Sequence, residues 1–286
     1  MHVLVTGAAG FIGRHVVGEL LRHPSVDDIT ALDDESFGEL DVFDGFPVHT
    51  VRASVLDRDQ VDAAVVDADV IVHLATRWAD GAGVADPLGV HDVNTTGSLR
   101  LLDAARRAGN TPLVVATFDT TRTPRDAVDA SVIAVRSAID AARHTFGQPI
   151  AEIVLPDVVG RDRPWGHPRS GWVDTTIRDA IELGIVEITA PAPPGPVITV
   201  TSAARLLVGA ATMPITGRQA VVGHFLSQME IVAHVSRATG HAVEVSRLTR
   251  TESGRTPVQW NREPAPSELQ AELDGMIWDA LNSRVC

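Results

Sequence analysis

The stretch that decides the fold lies at residues 3–13 and reads Val3-Leu4-Val5-Thr6-Gly7-Ala8-Ala9-Gly10-Phe11-Ile12-Gly13. The three leading apolar residues predict a buried strand. An amphipathic helix is predicted to follow, because Ile12, Val16 and Leu20 recur at helical spacing. Between them, the glycines allow a tight turn and let the backbone approach a pyrophosphate at the helix N-terminus. This context predicts a dinucleotide-binding loop; the alternative is a tight turn without a ligand.

Beyond that stretch, short apolar runs alternate with helical patterns through the first half of the chain. The predicted strands are 29–32, 48–51, 70–74, 113–116 and 151–155, and the predicted helices are 11–23, 94–107 and 132–144. This alternation predicts an α/β fold, a Rossmann-like doubly wound parallel sheet. We expect the NAD(P)-binding domain at residues 1–155, completed by strands within about 196–225. Residues 156–195 and 226–286 are predicted to form a smaller C-terminal substrate-binding lobe with a lid.

The composition limits the compartment and the partners. The 286 residues hold 37 acidic and 24 basic side chains, a formal charge of −13, so neither nucleic acid nor an anionic membrane is an expected partner. The one cysteine, Cys286, excludes an internal disulfide, and the start at Met1 has neither a charged leader nor a long apolar run. Histidine, cysteine and carboxylate spacings match no metal site. We expect a soluble cytoplasmic protein, whose oligomeric state the sequence does not indicate.

Two charged residues bear on which dinucleotide binds. Asp33 ends the second predicted strand, and a carboxylate there accepts hydrogen bonds from the adenosine ribose and repels a 2′-phosphate, which favours NAD(H). Arg14 directly follows the last glycine of the loop and favours NADP(H), since a guanidinium can pair with that phosphate. The alternative for Arg14 is a solvated helix residue. NAD(H) and NADP(H) therefore both remain open.

Three other motifs join the glycine-rich loop: His73-Leu74-Ala75-Thr76, Asn94-Thr95-Thr96-Gly97 and Pro156-Asp157-Val158-Val159-Gly160. In combination they resemble the extended short-chain dehydrogenase/reductases, and the resemblance covers nearly the whole chain. It implies a Rossmann-like domain that binds NAD(P), with Ser54 and Val55 near the adenine. The implied cofactor contacts are Gly7, Gly10, Phe11, Ile12, Gly13, Arg14, Asp33, Ser54, Val55, Leu74, Ala75, Thr76, Arg136, Pro156 and Val158.

The departures from this family fall in its catalytic region. Its members place a Ser/Thr and a Tyr-x-x-x-Lys pair beside the nicotinamide, but this chain contains neither tyrosine nor lysine. In the alignment with this family, Phe118 occupies the position of the Ser/Thr, Val132 that of the tyrosine and Arg136 that of the lysine. Arg136 is predicted to hold the ribose with its planar fork of donors, the alternative being a surface role. Thr117 and Thr120 are the candidate catalytic hydroxyls, unless they only cap or pack.

The segments expected to meet the substrate are aromatic and poor in cations. Where the family's nucleotide-sugar enzymes hold a diphosphate with arginines, this chain has Val154 and the Pro-Pro-Gly-Pro run at 193–196, so a nucleotide sugar is not expected. Aromatic residues and one histidine follow predicted strands or lie in a Pro/Gly-rich loop. The candidate substrate contacts are Trp78, Phe118, Trp165, His167 and Trp172. They predict an apolar, polycyclic ketone; alternatively, each tryptophan only packs the two lobes together.

A reductase of this kind without the triad resembles the angucyclinone ketoreductases of aromatic polyketide pathways, in particular those of the simocyclinone type. The resemblance implies NAD(P)H-dependent reduction of a ketone on an angucyclinone-like polyketide in antibiotic biosynthesis. Nicotinamide would supply the hydride, and the proton would come from a substrate hydroxyl or from water, not from tyrosine. Two alternatives stay open: an NAD(P)-binding regulator without activity, and a non-redox dehydratase or cyclase on the same fold.

Overall fold

The computed structural model describes residues 1–78, 86–118, 126–161, 171–190, 195–249 and 266–282. The chain divides into two units. The first comprises Met1–Leu155 and Val200–Val221, and the second Pro156–Thr199 and Val222–Cys286. That the second unit binds the substrate stays a prediction. In the described part of the chain, no helix has the length and apolar character needed to cross a membrane.

The strands are, in chain order, β1 His2–Thr6, β2 Asp28–Asp33, β3 His49–Arg52, β4 Val70–His73, β5 Leu113–Phe118, β6 Ile150–Leu155, β7 Asp157–Val159, β8 Ile185–Ala190, β9 Gly195–Thr199, β10 Gly217–Ala220, β11 His224–Leu226 and β12 Glu244–Thr249. The helices are α1 Phe11–Leu20, α2 Arg58–Val66, α3 Pro87–His91, α4 Ser98–Arg107, α5 Ala127–Phe146, α6 Trp172–Glu182, α7 Val200–Thr212, α8 Gln228–Thr239 and α9 Ser267–Asn282. A 3₁₀ turn spans Leu40–Phe43, and a π-helical segment, Asp92–Gly97, joins α3 to α4.

Seven strands of the first unit form one parallel sheet in the order β10-β6-β5-β4-β1-β2-β3. The direction of strand order reverses at β1, which lies between β2 and β4. Open α/β sheets bind ligands beyond the carboxyl ends of the strands at such a point, and the glycine-rich loop leaves β1 there. The prediction of a Rossmann-like, doubly wound sheet is confirmed.

Helices cover both faces of this sheet. On one face α2, α4 and α5 pack against the strands through a continuous apolar core that includes Leu4, Leu32, Val61, Val65, Ile71, Leu101, Ala105, Leu113, Val115, Val135, Ile139 and Ile150. On the other face α1 packs against α7, and α7 also contacts β4, β5 and β6. Because both faces are covered, the central strands are largely apolar rather than alternating.

The second unit has its own core. Its strands form a three-stranded sheet in the order β11-β9-β7 and a parallel pair of β8 with β12. Helices α6, α8 and α9 contribute Val173, Ile177, Ile231, Val235, Leu273 and Ile277 to one buried cluster.

Several element bounds differ from the sequence-based expectation. The helix expected at 132–144 begins at Ala127, because the Asp126 side chain caps it by accepting a hydrogen bond from the N–H of Asp129 at 2.8 Å. The helix expected at 94–107 is π-helical up to Gly97. Helix α2 was not predicted, since its buried face consists of Val61 and Val65 alone.

Candidate active site

The glycine-rich loop is shaped by two close approaches that leave no room for side chains. Gly7 has a φ of +70°, and a Cβ built on it would lie 2.6 Å from the backbone nitrogen of Ala75. A Cβ on Gly13 would lie 2.1 Å from the carbonyl oxygen of Gly7. The first contact sets the loop against the segment after β4, and the second sets it against the first turn of α1. Both positions therefore require glycine.

Helix α1 presents its N-terminus at this loop. Its N-cap residue, Gly10, makes no side-chain cap hydrogen bond, and its first turn contains no acidic residue. Among the described residues, one atom lies within 4 Å of a Cβ built on Gly10, the carbonyl oxygen of Gly7 at 3.2 Å. First-turn N–H groups and the helix dipole attract an anion. The helix N-terminus at this loop fits the pyrophosphate that the glycine-rich loop is predicted to bind.

Asp33 lies at the end of β2, next to the loop. Its carboxylate accepts hydrogen bonds from the backbone N–H of Ala9 at 3.0 Å and of Glu35 at 2.8 Å. Burial raises the pKa of Asp33 above its usual range, although these two N–H donors oppose the shift. A carboxylate can accept about four hydrogen bonds, so capacity remains for the ribose hydroxyls. The chemistry of this residue fits its predicted role.

The other predicted cofactor contacts are divided between the two units. Residues 74–76 follow β4, and the N–H of Leu74 donates to the carbonyl oxygen of Thr6 at 3.0 Å, which holds them at the point where the strand order reverses. Pro156 and Val158 belong to the second unit, where Val158 pairs with Ile198 of β9. Their predicted contacts with the cofactor stay predictions.

The predicted adenine contacts differ in exposure. Val55 is buried, and a Cβ on Gly97 would meet its side chain at 2.6 Å, so Val55 belongs to the apolar core and packs against the π-helical segment. Ser54 is half-buried, and its hydroxyl accepts a hydrogen bond from the N–H of Leu56 at 3.3 Å. Of the two, Ser54 is the residue with surface to offer a ligand.

A buried chain of hydrogen bonds links β1, β4 and α4. The Ser98 hydroxyl donates to the carbonyl oxygen of Asn94 at 2.5 Å, so it accepts from Nε2 of His73 at 2.8 Å. Nδ1 of His73 then accepts from the hydroxyl of Thr6 at 2.7 Å. Burial lowers the pKa of His73 to about 4, and the ring is neutral at pH 7. His73 therefore fixes the positions of its neighbours and does not supply a proton.

Asn94 connects the segment after β4 to α5. Its amide oxygen accepts from the N–H of Arg77 at 2.6 Å, and its Nδ2 donates to the Arg77 carbonyl oxygen at 2.9 Å and to the hydroxyl of Ser131 at 3.0 Å. Ser131 donates in turn to the carbonyl oxygen of Val128 at 2.7 Å. The motif at 94–97 indicated a functional segment, but the partners of Asn94 follow only from the fold.

A cleft, here called the β4–β5 cleft, opens at the carboxyl ends of these two strands. Its lining residues are His73, Ala75, Thr76, Asn94, Ser98, Val115, Ala116, Thr117, Phe118, Ser131, Val132 and Val135. The cavity has a volume of about 30 Å³, which is enough for one water molecule. The structure thus brings Thr117, Phe118 and Val132 to one place. Val132, the residue predicted to replace the tyrosine, offers no proton.

Arg136 and Thr117 share a buried carboxylate, that of Glu152. Glu152 lies on β6 and has no exposed surface. It accepts from Nε of Arg136 at 2.9 Å, from Nε of Arg218 at 2.7 Å and from the Thr117 hydroxyl at 2.8 Å. Burial alone would raise the pKa of Glu152, but the donors from Arg218, Thr117 and Arg136 outweigh it and lower the pKa below its usual range.

This arrangement bears on both predicted roles. The single hydroxyl proton of Thr117 is directed at the Glu152 carboxylate, so in this geometry Thr117 does not donate it to a substrate. Arg136 also donates through Nη2 to the carbonyl oxygen of Phe118 at 2.5 Å. Part of its donor fork is therefore used inside the protein, and its contact with the ribose stays a prediction. Glu152 was not among the predicted site residues, although a charged residue inside an apolar strand was an available signal.

The aromatic candidates lie in different places. Trp78 and Phe118 meet edge to face, with ring centroids 4.9 Å apart and an interplanar angle of 71°. Trp172 belongs to the second unit, where a Cβ on Gly195 would lie 3.1 Å from its Nε1. The predictions for Thr120, Trp165 and His167 lie outside the described residues.

The sequence model of the NAD dependent epimerase/dehydratase family matches residues 3–189. The chain belongs to this family. Similar proteins include the UDP-glucose 4-epimerase of Bacillus subtilis (strain 168), 30% identical over 175 residues, which are 58% of this chain and 50% of that protein. The dTDP-glucose 4,6-dehydratase of Streptomyces antibioticus is 36% identical over 127 residues, 42% of this chain and 38% of that one. The 3 beta-hydroxysteroid dehydrogenase type 7 of Homo sapiens is 34% identical over 114 residues, 39% and 31% of the two chains.

The chain thus spans half or less of the length of these relatives. Among solved structures, the UDP-glucose 4-epimerase of Thermus thermophilus in complex with NAD is similar over 99% of this chain and 100% of that one, with a TM-score of 0.77 and 22% identity. At that identity, the likeness shows the shared fold.

Proposed function

We propose that this protein is an NAD(H)-dependent oxidoreductase that reduces a ketone on an apolar, polycyclic aromatic substrate, of the angucyclinone-like polyketide kind. The observation that carries the proposal is the composition of the β4–β5 cleft, where Val132 stands in place of an acid and an aromatic pair lies beside it. The glycine-rich loop, the N-terminus of α1 and Asp33 fit NAD(H), which would supply the hydride.

Three cleft residues at or near the predicted catalytic positions do not offer a proton for the product alkoxide, although the hydroxyl of Thr76 also lines the cleft. Val132 has none, Thr117 donates to Glu152, and His73 is neutral with both ring nitrogens hydrogen-bonded. General acid catalysis contributes roughly 10²–10⁴-fold in rate, so its loss is tolerable when the hydride is well aligned. We propose that a hydroxyl next to the ketone on the substrate supplies the proton, with water in the cleft as the alternative donor.

The aromatic pair favours a flat ring system as the substrate. Phe118 lines the cleft, and Trp78 packs on its ring edge to face. Aromatic surfaces of this kind stack on rings and exclude water. Two of the relatives are named for nucleotide sugars, but Val154 and the Pro-Pro-Gly-Pro run at 193–196 stand where those enzymes are expected to have arginines. The human relative is named for a hydroxysteroid, which is an apolar polycyclic compound.

Deuteride transfer tests this function. NADH deuterated at C4 is incubated with the protein and a panel of hydroxylated polycyclic ketones, with UDP-glucose as the nucleotide-sugar comparison. We expect deuterium in the alcohol product from at least one ketone and no conversion of UDP-glucose. NADH binding without transfer to any ketone would contradict the proposal and favour an NAD(H)-binding regulator. Turnover without added cofactor would favour a dehydratase or cyclase.

A further inference from the structure

An ion pair next to the predicted ribose site bears on the choice between NAD(H) and NADP(H). Arg52, the last residue of β3, is the register partner of Asp33, the last residue of β2. Neighbouring strands lie about 4.8 Å apart, so the two side chains start from adjacent positions at the carboxyl edge of the sheet. The Arg52 side chain is 76% exposed. A guanidinium at this position is within reach of a phosphate carried by a ribose at Asp33.

Glu35 holds that guanidinium. Its Oε2 lies 2.6 Å from Nε of Arg52, and its Oε1 accepts a hydrogen bond from the N–H of Leu40 at 3.0 Å. The Glu35 backbone has a φ of +61°, a left-handed conformation that glutamate rarely adopts. Such a conformation persists when the surrounding contacts define it, and these two contacts do so.

We propose that Glu35 withholds Arg52 from the 2′-phosphate of NADP(H) and thereby makes the site selective for NAD(H). This inference rests on the proposed NAD(H)-dependent function. A 2′-phosphate at Asp33 needs a cationic partner, but Arg52 is already neutralised by Glu35. With the ion pair intact, the phosphate would meet the carboxylates of Asp33 and Glu35 together. The 2′-hydroxyl of NAD(H) carries no charge, so its binding does not depend on Arg52.

The variant Glu35→Gln isolates the charge, because its amide oxygen can still accept from the N–H of Leu40. We compare the wild type, Glu35→Gln, Arg52→Gln and the double variant by calorimetric titration with NADH and with NADPH. Glu35→Gln should lower the Kd for NADPH about tenfold, as expected for a hydrogen bond to a charged group, and leave the Kd for NADH within about twofold. Arg52→Gln alone should give no gain, and the double variant should return to the wild-type Kd for NADPH.

Other results of these titrations would contradict different parts of the proposal. An unchanged Kd for NADPH in Glu35→Gln, with NADH still bound, would overturn the inference alone. A gain that survives in the double variant would come from loss of the Glu35 charge itself or from another cation, such as Arg14, and would overturn the role of Arg52. Failure of the wild type to bind NADH would overturn the proposed function and this inference with it. Unfolding curves of the four proteins establish that each variant is folded.

Discussion

Glu152 places a carboxylate on a strand whose other side chains are apolar. Burying an ionised carboxylate is costly unless charged donors surround it, and here two arginines and one threonine do so. Arg136 is the residue predicted to replace the lysine of the related reductases, and this ion pair uses part of its donor fork. The local sequence predicted that Arg136 contacts the ribose, and it did not indicate the ion pair of Arg136 with Glu152.

Glu152→Leu should strongly destabilise the fold, since it leaves Arg136 partly buried without its carboxylate. Breaking a buried pair by removing one partner costs about 3–5 kcal/mol, and the partial exposure of the arginines sets the expectation at the lower end of that range. Urea denaturation measures the free energy of unfolding. Asp140→Asn is the matched control, because Asp140 also contacts Arg218 but is 59% exposed, and its loss should cost about 1 kcal/mol or less. Equal effects of the two variants would contradict this account of Glu152.

His73 predicts how stability depends on pH. Its pKa is about 4 in the folded chain, below the ordinary value of 6.5, so between these values the unfolded chain binds a proton that the folded chain does not. The stabilising contribution is complete above pH 6.5 and decreases as the pH falls toward 4. The loss amounts to about 3 kcal/mol at most.

The measurement is the free energy of unfolding of the wild type and of His73→Gln between about pH 7.5 and about pH 4.5, a range that spans the expected loss. The wild type should lose more stability over this range than the variant, which has no imidazole to protonate at this site. His49→Gln, at an exposed histidine, should keep the wild-type pH dependence. Parallel curves for the wild type and His73→Gln would contradict a depressed pKa at His73.

At the scale of elements, local sequence patterns predicted those helices and strands whose positions depend mainly on neighbouring residues. The strand and helix around residues 3–13 follow from periodicity and from the glycines, which two backbone approaches require. Helix α5 begins five residues before the expected position, at the exposed cap Asp126, and Val128 continues the helical spacing of Val132 and Val135 into this added turn. The π-helical segment Asp92–Gly97 could not be predicted from its own residues. Asn94 in this segment and Ser98 directly after it form side-chain hydrogen bonds with residues far away in the sequence.

Two glycines of α1 offer a matched comparison. Gly13→Ala would place a Cβ 2.1 Å from the carbonyl oxygen of Gly7, so the loop must shift and NADH binding should fall at least about tenfold. Gly18→Ala places its Cβ 3.8 Å from the Arg22 side chain, so it should leave the Kd for NADH unchanged and stabilise the helix by up to about 1 kcal/mol. Calorimetric titration and unfolding curves measure both effects. Unimpaired NADH binding by Gly13→Ala would contradict the proposed binding loop.

At the scale of the whole molecule, the doubly wound sheet could be predicted because each βα unit carries its own pattern. The β4–β5 cleft could be predicted in part: the aligned positions Phe118 and Val132 do lie together, and so do Trp78 and Phe118. The buried carboxylate that binds Arg136 could not be predicted. Arg136 lies on α5, whereas Glu152 lies on β6 and its other arginine partner, Arg218, on β10. The pairing of Glu35 with Arg52 likewise joins a residue of the loop after β2 to the last residue of β3, and nothing in either segment alone indicates it.

In the proposed reaction, the substrate supplies the proton that the missing tyrosine would give. The decisive experiment compares single-turnover rates of hydride transfer from NADH to two matched polycyclic ketones, with and without a hydroxyl next to the carbonyl. We predict that the hydroxylated ketone reacts about 10²-fold faster or more, the usual contribution of a general acid. Equal rates for the two ketones, or no transfer to either, would contradict a proton donated by the substrate.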